Sequence, residues 1–276
     1  MTLLFKLLSF FPLWLLHALG WVLGWVVFFL SSPYRRRFLA NAALAGYPFA
    51  QVRTAVGHAG RMSAELPRLW FGALPPLRWE AQDCIERALQ RGRGIVFLTP
   101  HLGCFEATGQ AVVQRYGERM GPLTVLYRPA RSARLSRLMQ GARERPGLHF
   151  VPTNLAGVRL MIKALRQGHA VGLLPDQVPP QGLGRWVPFF GRDAYTMTLG
   201  ARLAQQTGAT VLLAWGERLS WGRGYTLHFR EMGQPLAQQQ DAAVLQINQE
   251  MEHLIRQCPQ QYLWGYARYK APRQSP

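Results

Sequence analysis

Cysteine is scarce in this chain: Cys84, Cys104 and Cys258 are odd in number and far apart, so no disulfide framework is expected. No Cys-x-x-Cys pair occurs and no His/Cys grouping has zinc spacing, so neither a structural metal nor another cofactor is expected. Negative charge is sparse as well, with 14 Asp plus Glu against 32 Lys plus Arg and a net charge of +18 over 276 residues. Lysine is almost missing, limited to Lys6, Lys163 and Lys270, so the basicity is carried by arginine. Three familiar motifs are lacking: the Gly-x-Ser-x-Gly elbow, the P-loop and the Gly-x-Gly-x-x-Gly turn. Their absence sets aside serine hydrolases, nucleotide hydrolases and dinucleotide oxidoreductases. With 49% hydrophobic and 17% charged residues, the composition does not fit disorder, collagen or coiled coil. Genomic base composition can account for part of the arginine excess. The rest points to anionic partners: nucleic acid, acidic lipid, a phosphorylated substrate or an acidic carrier protein.

What the chain does have is one long apolar run. From Leu7 to Leu30 no residue is formally charged, a stretch of 24 residues and about 36 Å if helical. That is enough to cross a bilayer with some tilt. Pro12, His17, Gly20 and Gly24 interrupt it, and Trp14, Trp21 and Trp25 suit a segment resting at an interface. A buried helical hairpin of a soluble protein is the competing reading. Arg35, Arg36 and Arg37 follow at once and favour a cytoplasmic position for what comes next. The expected organisation is a membrane anchor over residues 1–32 and one domain over 33–276.

The domain alternates strand and helix. Residues 38–79 read as helical, and a further helix spans Asp83 to Arg91. GIVFLT (94–99), LTVLYR (123–128), AVGLL (170–174) and TVLLAW (210–215) read as buried strands, and YTLHFRE (225–231) as a possible edge strand. Helical patterns fall at 105–116, 132–144, 155–167, 196–207 and 240–257. This alternation predicts an α/β fold with a largely parallel central sheet flanked by helices. In such sheets chemistry sits beyond the carboxyl ends of the strands.

His101 follows the first of these strands, and Glu106 lies five residues on in HLGCFE. If a helix starts near Gly103, Glu106 is in its first turn and can fold back to the imidazole. A carboxylate on one ring nitrogen fixes the tautomer and raises the basicity of the other, the arrangement of a general base. The alternative is a helix-capping histidine with Glu106 placed by the helix dipole. Cys104 allows a Cys/His nucleophile but equally a buried packing residue. Arg128 ends the second strand and leads the row Arg131, Arg134, Arg137, suited to phosphate oxygens or an acidic protein, or to a solvated face. Asp176, after the third strand, binds substrate, pairs with an arginine or orders its loop. WVPFFG (186–191) reads as an apolar loop for an acyl chain or bilayer contact, or as ordinary core.

Taken in order, TPHLGCFE (99–106), YRP (127–129), LLPDQ (173–177), VPFFG (187–191) and QQYLWGYARYK (260–270) resemble the late lipid A acyltransferases of Gram-negative bacteria. Those belong to the wider lysophospholipid acyltransferase superfamily, and the resemblance covers nearly the whole chain. It implies transfer of a fatty acyl group from an acyl carrier protein thioester to a hydroxyl of a lipid A precursor. It implies an enzyme of the inner membrane working on the cytoplasmic side, with His101 and Glu106 as the catalytic pair. By the same resemblance Arg128 and Asp176 fall in substrate-binding positions. Relatives often carry His-Arg-Arg in the last motif, where this chain has Gly265-Tyr266-Ala267-Arg268. Two competing readings are kept. One is an acyltransferase for another acceptor, such as a lysophospholipid, amino-acid lipid or glycolipid, with acyl-CoA as donor. The other is a non-catalytic basic module at a membrane surface or on nucleic acid, which neither the apolar N-terminus nor the strand-end polar residues favour.

Overall fold

A computed structural model describes residues 2–127 and 145–273. Six helices come first: α1 (Thr2–Leu8), α2 (Leu13–Leu30), α3 (Ser32–Leu44), α4 (Phe49–Val52), α5 (Thr54–Ala64) and α6 (Leu66–Phe71). Strand β1 (Leu77–Glu80) and α7 (Asp83–Arg91) lead to β2 (Ile95–Leu98), α8 (Phe105–Met120) and β3 (Leu123–Tyr127). Then come β4 (Leu148–Pro152), α9 (Leu155–Arg166) and β5 (Ala170–Leu173). A hairpin of β6 (Gly184–Phe189) and β7 (Arg192–Met197) precedes α10 (Leu199–Thr207), β8 (Thr210–Arg218), β9 (Tyr225–Glu231) and α11 (Gln240–Gln257).

The main sheet has seven strands in the order β1-β9-β8-β2-β5-β3-β4. Five of them, β8 through β4, run parallel, while β9 is antiparallel to β8 and β1 is parallel to β9. The expected α/β fold is therefore present, and the five sequence-read strands appear as β2, β3, β5, β8 and β9. All four residues of β2 and of β5 are buried, as central strands covered on both faces require. Alternation along β2 sends Ile95 and Phe97 to one core, with α7 and α8, and Val96 and Leu98 to another, with α9, α10 and α11.

Four local readings are corrected. The stretch 38–79, read as all helical, ends in β1, whose LRWE is half-buried and exposed by turns and docks beside β9. That leaves β9 inside the sheet and not at its edge. LHFVP (148–152) forms β4, a strand the periodicity did not suggest. WVPFFG lies in the β6–β7 hairpin: Val187, Phe189 and Phe190 are buried, the core alternative, while Trp186 is half-exposed. The helical pattern at 132–144, with Arg128, Arg131, Arg134 and Arg137, lies outside the described residues.

The N-terminal apolar helix is docked along the body. The buried side chains of α2 (Leu13, Leu16, His17, Gly20, Gly24 and Phe28) recur every three or four residues and form one stripe. That stripe meets α5 at backbone contact: a Cβ on Gly60 would stand 1.9 Å from the Gly20 carbonyl oxygen, and one on Gly24 2.2 Å from that of Val56. Small residues are what allow two helices to approach so closely. Beneath the crossing is a fully buried ionic knot. Glu65 accepts from Arg218 Nε at 2.9 Å and Nη2 at 2.5 Å and from the Tyr225 hydroxyl at 3.0 Å, with His17 Nε2 at 3.1 Å. Burial alone would raise the Glu65 pKa, but Arg218 and His17 outweigh it and hold it at about 2.

Removing one partner of such a pair strands a buried charge. Arg218→Met is therefore expected to destabilise the protein by about 3–5 kcal/mol, read as a lowered denaturation midpoint in detergent solution. The sign with pH follows from the lowered pKa. The stability that Glu65 contributes is complete above the ordinary carboxylate value of 4.5 and is lost as pH falls towards 2. Acid titration of Glu65→Gln should lack that component, and an unchanged acid limb would overturn the assignment.

Candidate active site

The register of the central strands builds the site. Leu98 of β2 lies opposite Leu173 of β5, and the Thr99 N–H still donates to the Leu173 carbonyl at 3.1 Å. Three residues further along each chain stand His101 and Asp176, brought together at the carboxyl edge of the sheet. Asp176 Oδ1 is 2.8 Å from His101 Nδ1, and Oδ2 accepts the His101 backbone N–H at 2.9 Å. The carboxylate is buried, while the imidazole keeps 16% of its surface open.

Burial would raise the Asp176 pKa, but the facing His101 and its two hydrogen bonds, with Arg268 adding positive charge, pull it below the usual carboxylate value. An ionised carboxylate only accepts, so Nδ1 carries the proton and Nε2 presents its lone pair. The Gln177 side-chain amide stands at that lone pair, with its Nε2 donating to His101 Nε2 at 2.9 Å. The Phe105 ring packs edge-on to the imidazole at 5.2 Å between centroids. The result is an imidazole with Nδ1 anchored on the carboxylate and Nε2 met by the Gln177 amide.

The loop that carries His101 is braced from two sides. Gly103 has φ +57°, and a Cβ there would stand 1.9 Å from the Gly216 carbonyl oxygen, so the turn into α8 requires glycine. The N–H groups of Leu102, Gly103 and Cys104 are engaged by the carbonyls of Pro100, Gln261 and Gly216. The Leu263 N–H donates to the His101 carbonyl at 3.2 Å, and Leu102 forms a bridge with Tyr262. The Asp176 loop is held by the same C-terminal segment, because the Val178 N–H donates to the Tyr266 hydroxyl at 3.0 Å. Arg268, buried nearby, donates to the Tyr195 carbonyl at 2.8 Å and to Thr196 Oγ1 at 2.5 Å.

Of the residues singled out from sequence, His101 and Asp176 are brought into contact. Glu106 lies in the first turn of α8, half-buried, where a helix starting near Gly103 places it. Arg128 lies outside the described residues. Cys104 is the residue before α8 and fully enclosed, and burial pushes its thiol pKa well up, the opposite of an activated nucleophile. Among the described residues no group of three or more His, Cys, Asp or Glu is arranged to hold a metal. Sequence reasoning missed Gln177 and the bracing by Tyr262, Leu263 and Tyr266. The available signal was LLPDQ itself, whose last two residues both reach His101.

A histidine fixed by a buried carboxylate at the carboxyl edge of a mostly parallel sheet is equipment for general-base chemistry in an α/β enzyme. Comparison with known proteins narrows the class. Residues 2–271 match the bacterial lipid A biosynthesis acyltransferases, and the chain belongs to that family. A lipid A biosynthesis palmitoleoyltransferase of Escherichia coli K12 is 29% identical over 209 residues, 74% of this chain and 62% of that protein. A lipid A biosynthesis acyltransferase of Haemophilus influenzae is 24% identical over 182 residues, 65% of this chain and 55% of that protein. A lipid A biosynthesis lauroyltransferase of Escherichia coli K12 is 32% identical over 113 residues, covering 40% and 37% of the two chains. The match thus spans about three fifths of the Escherichia coli palmitoleoyltransferase's length.

The enclosed thiol yields a direct expectation. In the native protein Cys104 should resist maleimide labelling at pH 7.5, and Cys104→Ala should keep acyl transfer within a few-fold of the parent. Loss of turnover in that variant would point to an acyl-enzyme on sulfur.

Proposed function

We propose that this protein is a membrane-associated O-acyltransferase that moves a fatty acyl chain from an acyl carrier protein thioester to a hydroxyl of a lipid A precursor. The observation that carries the reading is the His101–Asp176 pair, with Nε2 facing the Gln177 amide, in a chain of this family. The acceptor hydroxyl displaces the Gln177 amide and gives its proton to His101 Nε2. Its oxygen attacks the thioester carbonyl, the C–S bond breaks, and the imidazolium returns the proton to the departing thiolate. The products are an ester and a free carrier thiol, with no acyl-enzyme. Asp176 holds the reactive tautomer. Glu106, at the start of α8, is the acid that the sequence pairs with His101, and it favours the imidazolium as it forms. The oxyanion falls to Arg128 or to N–H groups of the first turn of α8 beyond Cys104. Arginine-borne charge of +18 suits both an acidic carrier protein and a phosphorylated acceptor. We place the enzyme at the inner membrane with its catalytic body on the cytoplasmic side, where a carrier-protein thioester is available.

Purified protein incubated with acyl carrier protein thioester and a tetra-acylated lipid A precursor is expected to add one acyl chain by mass spectrometry. His101→Ala should lower the rate by about 10²- to 10⁴-fold with the fold intact. Asp176→Asn and Glu106→Gln separate the two carboxylates. If Asp176→Asn keeps the full rate and Glu106→Gln does not, Glu106 alone orients the base. Full activity in His101→Ala would end the general-base reading, and acylation only of lysophospholipids from acyl-CoA would replace the acceptor and donor.

Gln177 offers an independent pH test. A carboxylate beside Nε2 favours the imidazolium, so Gln177→Glu should move the acid limb of the kcat/KM profile to higher pH. Activity lost at neutral pH should return under alkaline conditions. An unmoved limb would remove Gln177 from the path of the proton.

A further inference from the structure

A helix of 18 residues and high hydropathy near the N-terminus invites the reading of a transmembrane tether. The contacts of α2 do not allow it. At its N-terminal end Gly222, in the β8–β9 connection, lies against Trp14: a Cβ there would stand 2.3 Å from the Trp14 backbone nitrogen. In its middle Gly20 and Gly24 touch the α5 backbone, and the Arg61 Nε donates to the His17 carbonyl. At its C-terminal end the Phe28 ring packs on Phe38 and Phe49, with centroids 5.6 and 5.5 Å away. Leu13 to Phe28 covers about 22 Å of helix axis, and the body accompanies every turn. If α2 crossed a bilayer, α5, Arg61 and the Glu65–Arg218 knot would stand beside it in the hydrocarbon.

The face of α2 turned away from the body is uniformly apolar, with Leu19, Val22, Leu23, Val26 and Leu30 all exposed. The segment before it continues that surface through Leu4, Leu7 and Phe10. Trp221, in the connection that touches Trp14, is 85% exposed and held at φ +59°, a left-handed conformation uncommon for a bulky residue. The catalytic body thus presents its own tryptophan beside the N-terminal end of α2. Cations lie next to the apolar face: Lys6, Arg36 and Arg37 are exposed, and Arg35 closes the end of α2 by donating to the Phe29 carbonyl at 3.0 Å. Tryptophan and arginine around an apolar helix face match the headgroup region of an anionic bilayer.

We infer that α1, α2 and the Trp221 loop form one monotopic surface that lies in the plane of a single leaflet of an anionic membrane, with no segment crossing it. This rests on the membrane association proposed above but not on the catalytic assignment. The surface is tied to the site: Asn41 of α3 donates to the carbonyls of Trp264 and Tyr266, whose neighbour Leu263 holds the His101 loop. Seating α2 in the leaflet therefore fixes the position of His101 relative to it.

Two variants that each add one exposed cysteine decide between topologies, because Lys6 and Ser32 flank α2 and are exposed whereas the natural cysteines are buried. Full-length Lys6→Cys and Ser32→Cys proteins are expressed in cells and treated with a membrane-impermeant maleimide before and after the inner membrane is opened. The in-plane arrangement expects both sites to label only after opening, from the side that holds the body. Labelling of Lys6→Cys alone in sealed cells would show a crossing and overturn the inference while leaving membrane association in place. Recovery of the protein in the soluble fraction would overturn both. As a second arm, Phe10→Glu/Leu23→Glu/Trp221→Glu should lower cosedimentation with phosphatidylethanolamine–phosphatidylglycerol vesicles at least about tenfold with an unchanged circular dichroism spectrum. Unchanged binding would overturn the assigned surface.

Discussion

Pairing of β2 with β5 is the constraint on which the site depends. Parallel register sets Leu98 opposite Leu173, and each chain then runs three residues past the sheet before presenting His101 or Asp176. Neither residue needs a long flexible side chain to find the other. Both strands are buried on both faces, so a slip of one residue would send every side chain of a strand into the opposite core and undo the packing of both. The His101–Asp176 contact is here a consequence of sheet packing: the carboxylate follows a neighbouring strand and is delivered by core burial.

The remaining support comes from the end of the chain. The segment around 261–268 accepts the Gly103 N–H through the Gln261 carbonyl, donates to the His101 carbonyl through Leu263 and accepts from the Asp176 loop through Tyr266. Gln261 also exchanges both its side-chain groups with the Arg218 backbone, and Arg218 carries the ion pair to Glu65. A continuous set of hydrogen bonds thus runs from the docked N-terminal helix, through Glu65 and Arg218, to the turn beneath His101. In a low-dielectric interior such a network is costly to satisfy in part, which favours a single arrangement of all its members.

Much of this was legible in the residues themselves. Short β-branched runs marked β2, β5 and β8, and the strand-end rule directed attention to His101 and Asp176 before any contact was known. Local spacing pairs His101 with Glu106, which stands in the first turn of α8. The contact with Asp176 bridges 75 residues and depends on strand order, which periodicity does not encode. β1 and β4 escaped for a related reason: LRWE and LHFVP are short outer strands stabilised by what lies beside them more than by their own pattern. The apolar 186–191 stretch shows the same limit, since only the partner strand decides that Phe189 points inward and Trp186 outward.

The N-terminal helix shows how one composition can serve two physical ends. Mean hydropathy describes α2 as if all sides were equivalent, yet its glycines and His17 fall on the buried stripe with Leu13, Leu16 and Phe28, while the opposite face is exposed and apolar throughout. Glycine at 20 and 24 would weaken a free helix, since it carries the highest conformational cost of any residue there. It is tolerated because α5 supplies a backbone to lie against. His17 would be expensive in hydrocarbon, but here it meets Glu65. Both features that weaken the case for a span are what a docked helix needs. A face committed to the protein leaves an exposed apolar face, which the in-plane seating we infer would turn to the leaflet. On the proposed reaction that placement would be useful: a lipid acceptor would be met in the plane and a carrier-borne donor from solution, with His101 between them.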